Sequence, residues 1–113
     1  MLNIANEKQG DVCVVAIGGR LDGTGAPEVE SHCRGLIDGG DERLLLDLAE
    51  VEYISSAGLR SLLVVAKQVK AAGGVLVLCC LSPMVREVMD ISGFDKILKL
   101  SANRDAALAQ FTN

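Results

Sequence analysis

Apolar residues in this chain occur in short continuous runs and in longer segments with helical spacing. Residues 12–17 are all apolar, which predicts a strand buried on both faces. We expect Gly18 and Gly19 to end this strand, and the turn at residues 9–11 to separate it from an earlier one. Similar runs predict further strands over residues 43–51, 75–80 and 96–100.

Between these runs, apolar residues recur at helical spacing. Thr24 or Gly25 can cap the first helix. A second helix follows from Leu59, Ser82-Pro83 opens a third, and residues 101–111 form a fourth. The apolar stripe of the first helix is formed by Val29, Cys33, Leu36 and Ile37.

The predicted element order is β-β-α-β-α-β-α-β-α. Strands that alternate with single helices are joined by right-handed crossovers and form a mostly parallel sheet. The sequence therefore predicts an α/β fold. A chain of 113 residues suits one domain, which we place at residues 1–112.

The composition argues against several classes of partner. The formal net charge of −4 disfavours binding to nucleic-acid phosphates or to an anionic membrane surface. Aromatic residues make up only 3% of the chain, too few for a platform on which bases stack. The longest apolar run, residues 75–81, is far shorter than the roughly 20 residues that span a bilayer. The first ten residues lack a signal-peptide pattern, so we expect no membrane insertion.

Four cysteines are present: Cys13, Cys33, Cys79 and Cys80. None belongs to a C-x-x-C pair, and the adjacent Cys79 and Cys80 suit neither a metal site nor an ordinary disulfide. We interpret all four as reduced thiols used as small apolar residues, which indicates a cytoplasmic protein.

Residues with catalytic chemistry are sparse. His32 is the only histidine and lacks neighbouring ligands or a nucleophile. Neither G-x-x-x-x-G-K-[ST] nor G-x-G-x-x-G occurs, so a phosphate loop and a dinucleotide site have no support. We interpret Asp22, Asp47 and Glu50 as separate, solvated turn residues. The sequence therefore predicts a protein that is not an enzyme, with no cofactor and no metal.

Two adjacent serines stand where a strand gives way to a helix. Ser55 or Ser56 can cap that helix by accepting a hydrogen bond from a first-turn N–H. A G-x-S-x-G nucleophile elbow centred on Ser56 is disfavoured because Ile54 replaces its first glycine. A helix start favours negative charge, so the fold would tolerate a phosphate there, and its roughly −1.5 to −2 charges would repel a docked partner.

Three segments match the motifs of a known family. LLLDLAEVEYISSAGLRSLL resembles an L-D-L strand followed by [DS]-S-[AST]-G-L, the most specific of these motifs. VVAIGGRLDGTGAPEVE and GGVLVLCCLSPMVREVMDISGF resemble the preceding strand with its G-x-L-D loop and the following strand and helix. The chain thus resembles the STAS domain family, and within it the single-domain anti-sigma factor antagonists. The resemblance implies the STAS fold over residues 1–112, with a mixed, largely parallel sheet of about five strands and four helices.

The resemblance also implies a partner-switching function. Such a protein binds an anti-sigma factor that is also a serine kinase of the histidine-kinase-like ATPase fold, is released on phosphorylation, and is restored by a PP2C-type phosphatase. Aligned on the motif, Ser56 is the phosphoacceptor, and Ser55, which stands where many members carry aspartate, is the second choice. The implied partner surface comprises Asp22, Gly23, Thr24, Ser55, Ser56, Ala57, Gly58 and Leu59.

Two other interpretations stay open. The chain could be a non-switching STAS scaffold subunit, in which the serines only cap a helix. It could also be a small-ligand-sensing STAS domain that binds a nucleotide or an apolar compound.

Overall fold

Five strands form one sheet, and helices lie on both of its faces; the computed structural model describes residues 2–111. The strands are β1 (Leu2–Gln9), β2 (Val12–Leu21), β3 (Arg43–Ile54), β4 (Val75–Cys79) and β5 (Lys99–Ser101). The helices are α1 (Ala26–Asp38), α2 (Ser56–Ala71), α3 (Pro83–Ser92) and α4 (Arg104–Ala109). The sheet order is β1-β2-β3-β4-β5, with β1 antiparallel to β2 and the other pairs parallel. This confirms the predicted α/β architecture, and the predicted domain range of 1–112 begins and ends outside the described residues.

The helices begin and end close to the predicted residues. Gly25 is the N-cap of α1, and Ser82 is the N-cap of α3, where its hydroxyl accepts a hydrogen bond from the Val85 N–H at 3.2 Å. Helix α3 ends at Gly93, which takes the left-handed conformation. Within residues 2–111, no helix is both long and apolar enough to cross a membrane.

Strand β2 is longer than predicted because it continues through its glycine pair. Its pairing with β3 shifts twice between Ala16 and Arg20. A Cβ on Gly18 would lie 3.0 Å from the Glu50 Cβ, and Gly19 takes a φ of +94°. The two glycines therefore let the strand bend at bulges, and our expectation that they end it was wrong.

The last strand begins later than the predicted range of 96–100. Residues Phe94–Lys96 form a 3₁₀ turn before β5. The N–H groups of Ile97 and Leu98 both donate to the Phe94 carbonyl, at 3.0 and 2.9 Å. Because these bonds occupy their donors, the apolar residues of this stretch cannot all join the sheet.

The sheet is buried on both faces, as the continuous apolar run in β2 predicted. Cys13 and Val15 belong to the larger core beneath α1, α2 and α3. Val12 and Val14 belong to the smaller core beneath α4. Each fully buried Val or Leu side chain stabilises the fold by about 1.5–3 kcal/mol relative to an exposed one. Both faces therefore contribute to holding the carboxyl ends of the strands in place.

Candidate functional site

The carboxyl ends of β2 and β3 bring the two predicted site segments together. The strands are parallel neighbours, and Leu21 pairs with Ile54 at their ends. Just beyond, the Ser55 N–H donates to the Leu21 carbonyl at 3.0 Å. The loop of residues 22–24 and the start of α2 therefore leave the sheet side by side, at the same edge.

The two serines of the junction have different roles in the structure. Ser55 is the N-cap of α2, with an extended backbone, and its Oγ accepts a hydrogen bond from the Gly58 N–H at 3.2 Å. Ser56 is the first helical residue and is exposed. Within residues 2–111, the Ser56 hydroxyl makes no hydrogen bond. Capping is thus assigned to Ser55, and the Ser56 hydroxyl is available to solvent.

Two of the predicted partner-binding residues face inward. A Cβ on Gly58 would lie 2.2 Å from the Leu21 carbonyl oxygen, so only glycine allows α2 to approach β2 this closely. Leu59 is 8% exposed and packs in the larger core. These residues set the position of the helix start, while Ser56 and the half-buried Ala57 lie at its surface.

Asp22 organises the neighbouring loop. Its Oδ1 accepts hydrogen bonds from the Thr24 N–H at 3.0 Å and the Gly25 N–H at 3.1 Å. Because the ionised carboxylate accepts these bonds, the pKa of Asp22 is lowered from its ordinary value. The bond from Gly25 has the largest effect, and the bond from Thr24 the next largest. The interpretation of Asp22 as a merely solvated turn residue was wrong, since it fixes the loop that leads into α1 and leaves Gly23 and Thr24 exposed.

Cationic side chains flank the junction. Arg20 lies 3.7 Å from the Asp22 carboxylate, and its guanidinium stacks 4.3 Å from the centroid of the Tyr53 ring. Arg60 is exposed and lies four residues after Ser56, on the same face of α2 one turn along. Together with the positive end of the α2 dipole, Arg60 favours negative charge at Ser56. Arg60 is absent from the predicted site residues, although its i,i+4 spacing from Ser56 was a usable signal.

A second polar cluster lies beneath α4. A carboxylate oxygen of Asp47 and the Sγ atoms of Cys79 and Cys80 lie within 4.8 Å of one another. The Asp47 carboxylate accepts a hydrogen bond from Arg104 at 2.7 Å and another from the Ala49 N–H at 2.9 Å. Asp47 is therefore ion-paired rather than simply solvated, which corrects the sequence interpretation. Burial raises the pKa of the Cys79 thiol, so this cluster is suited to fastening α4 rather than to binding a cation.

The remaining sequence candidates have structural partners. A ring nitrogen of His32 lies 2.9 Å from the Asn6 side-chain oxygen, which ties α1 to β1. Glu50 is exposed on β3 and belongs to the bulged stretch opposite Gly18.

Comparison with known protein families gives a match over nearly the whole chain. The family model described as the STAS domain matches residues 3–107. BtrV of Bordetella bronchiseptica, named as a candidate anti-sigma factor antagonist, is 40% identical over 110 residues, which cover 97% of this chain and 95% of that protein. The anti-sigma F factor antagonist of Paenibacillus polymyxa is 28% identical over 110 residues, covering 96% of this chain and 94% of that protein.

Solved structures share the fold described above. The crystal structure of an anti-sigma factor antagonist from Mycobacterium paratuberculosis superposes with a TM-score of 0.90. It is 25% identical in sequence, and the match covers 100% of this chain and 96% of that one.

Proposed function

Because the chain belongs to the STAS domain family, we propose that it is an anti-sigma factor antagonist that binds an anti-sigma factor in a phosphorylation-dependent way. STAS anti-sigma factor antagonists are non-enzymatic regulatory proteins, so the prediction that the chain is not an enzyme is confirmed. Anti-sigma factor antagonists bind anti-sigma factors, and this binding is the activity that we assign to the chain.

One observation carries the regulatory part of the proposal. Ser56 is exposed at the first position of α2, while its neighbour Ser55 makes the capping hydrogen bond. A modification of Ser56 can therefore change the surface without removing the cap. Ser56 is the proposed phosphoacceptor, and Ser55 is the second choice.

A phosphate on Ser56 would alter the surface more than the fold. It adds roughly −1.5 to −2 charges and three acceptor oxygens. The helix dipole and Arg60 offset part of that charge within the free protein. A partner docked over the junction would instead meet repulsion and the cost of desolvating the phosphate. Phosphorylation is thus expected to release the partner.

The proposed partner surface is centred on the exposed residues of the junction and the adjacent loop. It comprises Asp22, Gly23, Thr24, Ser55, Ser56 and Ala57, with Gly58 and Leu59 holding the helix start from beneath. The proposed partner is an anti-sigma factor that is also a serine kinase of the histidine-kinase-like ATPase fold. A PP2C-type phosphatase would reverse the modification, and all three proteins would meet in the cytoplasm.

The decisive experiment measures modification and binding with the cognate kinase. After incubation with kinase and ATP, peptide mass spectrometry should find phosphate on Ser56. In calorimetric titrations, Ser56→Asp should weaken kinase binding and Ser56→Ala should bind as the unmodified protein does. Ser92→Asp, which adds the same charge at the exposed end of α3, is the matched control and should bind normally.

Two results would contradict the proposal. Phosphate found only at residues other than Ser56 would remove the assigned acceptor. Unchanged kinase binding by Ser56→Asp would favour a non-switching scaffold, in which the serines serve the helix alone.

A further inference from the structure

A surface groove lies at the end of the strands opposite the Ser56 junction. It runs between the second half of α2 and the first residues of β4 and β5, and its volume is about 500 Å³. This volume falls within the roughly 300–1,000 Å³ that is usual for small-molecule sites. The groove shares α2 with the junction but none of the residues of the proposed partner surface.

The floor of the groove is apolar. Leu76 and Leu98 are buried at its base, and Leu63 and Ala66 of α2 are half-buried along its wall. Ile97 is 66% exposed at its rim, because the 3₁₀ turn before β5 holds it out of the sheet. An exposed isoleucine beside a concave apolar surface indicates a place where an apolar group can be buried.

The rim of the groove carries positive charge only. Lys67, Lys70 and Lys99 line it, and Lys96 precedes the exposed Ile97 in the sequence. No acidic residue lines the groove, and within residues 2–111 none of these lysines forms an ion pair. Three of the five lysines of a chain with a net charge of −4 therefore line one groove, and among the described residues they have no carboxylate partners.

We propose that this groove binds a single-chain amphiphilic anion, with its hydrocarbon tail on the apolar floor and its carboxylate or phosphate head among the lysines. A volume of about 500 Å³ is that of a small-molecule site. The rest of this chain, whose net charge is −4, would be repelled by the anionic lipids of a bilayer. A long-chain carboxylate satisfies both the apolar floor and the basic rim.

The test uses two amphiphiles with the same tail and opposite head charges. Laurate and dodecyltrimethylammonium are titrated below their micelle-forming concentrations into protein with labelled methyl groups. Laurate should shift the NMR signals of Leu63, Ile97 and Leu98 and should saturate. Dodecyltrimethylammonium should bind at least about tenfold more weakly, since it reverses the interaction with three or more lysines.

Variants separate the groove from general surface binding. The triple variant Lys67→Glu, Lys70→Glu, Lys99→Glu should lower laurate affinity at least about tenfold, and Ile97→Ser should lower it without changing the head-group preference. Lys8→Glu is the matched control, because Lys8 lies on β1 at the other edge of the sheet, and it should bind laurate as the unchanged protein does. Circular dichroism and melting temperature check that each variant is folded.

Three outcomes would overturn the proposal. Equal affinity for the two amphiphiles would show that the lysines do not bind the anionic head group. Unchanged laurate binding by the folded triple variant would place the ligand elsewhere. No saturable laurate binding, together with saturable binding of an acidic amphipathic helical peptide, would make the groove a protein-docking surface instead.

Discussion

At the residue scale, the functional question depends on which of two adjacent serines caps α2. The sequence predicts one capping serine but cannot assign it, because either residue could begin the helix. The structure assigns the cap to Ser55, since its Oγ lies 3.2 Å from the Gly58 N–H. The choice of Ser56 as acceptor came from the family motif and stays a prediction. The exposure of its hydroxyl makes that choice physically consistent.

This division of roles predicts different stabilities for two alanine variants. Ser55→Ala removes the cap and should lower the free energy of unfolding by about 0.5–2 kcal/mol. Ser56→Ala removes a hydroxyl that makes no hydrogen bond within the described residues, and should change it by less than about 0.5 kcal/mol. Urea unfolding of both variants measures the difference. Equal losses in the two variants would contradict the assignment of the cap.

Gly58 provides a second residue-scale prediction. Gly58→Ala places a Cβ 2.2 Å from the Leu21 carbonyl oxygen, so α2 or the end of β2 must move, at a cost of about 1–3 kcal/mol or more. Gly35→Ala in α1 is the matched control, because its Cβ would meet no atom within 4 Å. That substitution should stabilise the protein by about 0.5–1 kcal/mol through helix propensity. Thermal melts of both variants should therefore shift in opposite directions, and a neutral Gly58→Ala would contradict the close approach.

At the element scale, the periodic parts of the chain were predictable and the interrupted parts were not. The apolar runs and stripes indicate β2 to β5 and the four helices, though not all of their ends, because the spacing of apolar residues follows from burial. The glycine pair in β2 was misinterpreted, since a bulge and a strand end have the same local composition. The range 96–100 was misplaced because its first residues form a 3₁₀ turn, in which the N–H groups of Lys96 and Ile97 donate to carbonyls three residues earlier. The ion pair of Asp47 with Arg104 joins residues 57 positions apart in the sequence, so no local sequence pattern could predict it.

The entry into α1 gives a pH-dependent prediction. The Asp22 carboxylate accepts two N–H bonds ahead of the helix, and its pKa is lowered in the folded protein. A lowered folded-state pKa contributes stability that is present above the unfolded value of about 3.9 and is lost as the pH falls through the folded value. Asp22→Asn should therefore melt below the unchanged protein near neutral pH.

The gap in melting temperature between Asp22→Asn and the unchanged protein should close below about pH 4. Asp11→Asn, in the turn between β1 and β2, is the control, since within residues 2–111 the Asp11 side chain accepts no hydrogen bond. If the difference in melting temperature between Asp22→Asn and the unchanged protein stays constant down to about pH 3, then the charge of the Asp22 carboxylate does not contribute to stability.

At the scale of the whole molecule, the two faces of the sheet are unequally covered. Three helices and the larger core lie on one face, whereas α4, a helix of six residues, covers the smaller core on the other. Helix α4 is held by Ala107, Phe111 and the ion pair between Arg104 and Asp47. Because α4 is short and buries few residues, we expect it to detach from the sheet more often than the rest of the fold unfolds.

Cysteine labelling can detect the opening of α4, because cysteines lie on both faces of the sheet. Cys80 is half-buried, Cys33 lies on the buried face of α1 in the larger core, and Cys79 lies beneath α4. Burial raises the pKa of Cys33 to about 12 and also raises that of Cys79, so each thiol reacts only when its cover opens. Pulses of N-ethylmaleimide followed by peptide mass spectrometry should label Cys80 first, Cys79 next and Cys33 last.

A variant in which α4 is held less firmly should change only the labelling rate of Cys79. Arg104→Ala removes the ion pair with Asp47, so it should speed the labelling of Cys79 several-fold while Cys33 keeps its rate. Arg34→Ala, which removes an exposed i,i+4 ion pair on α1, is the matched control and should leave Cys79 unchanged. If Cys79 and Cys33 are labelled at one common rate in all three proteins, then both faces open in a single global step. In that case α4 does not open independently of the rest of the protein, and the fold opens as one cooperative unit.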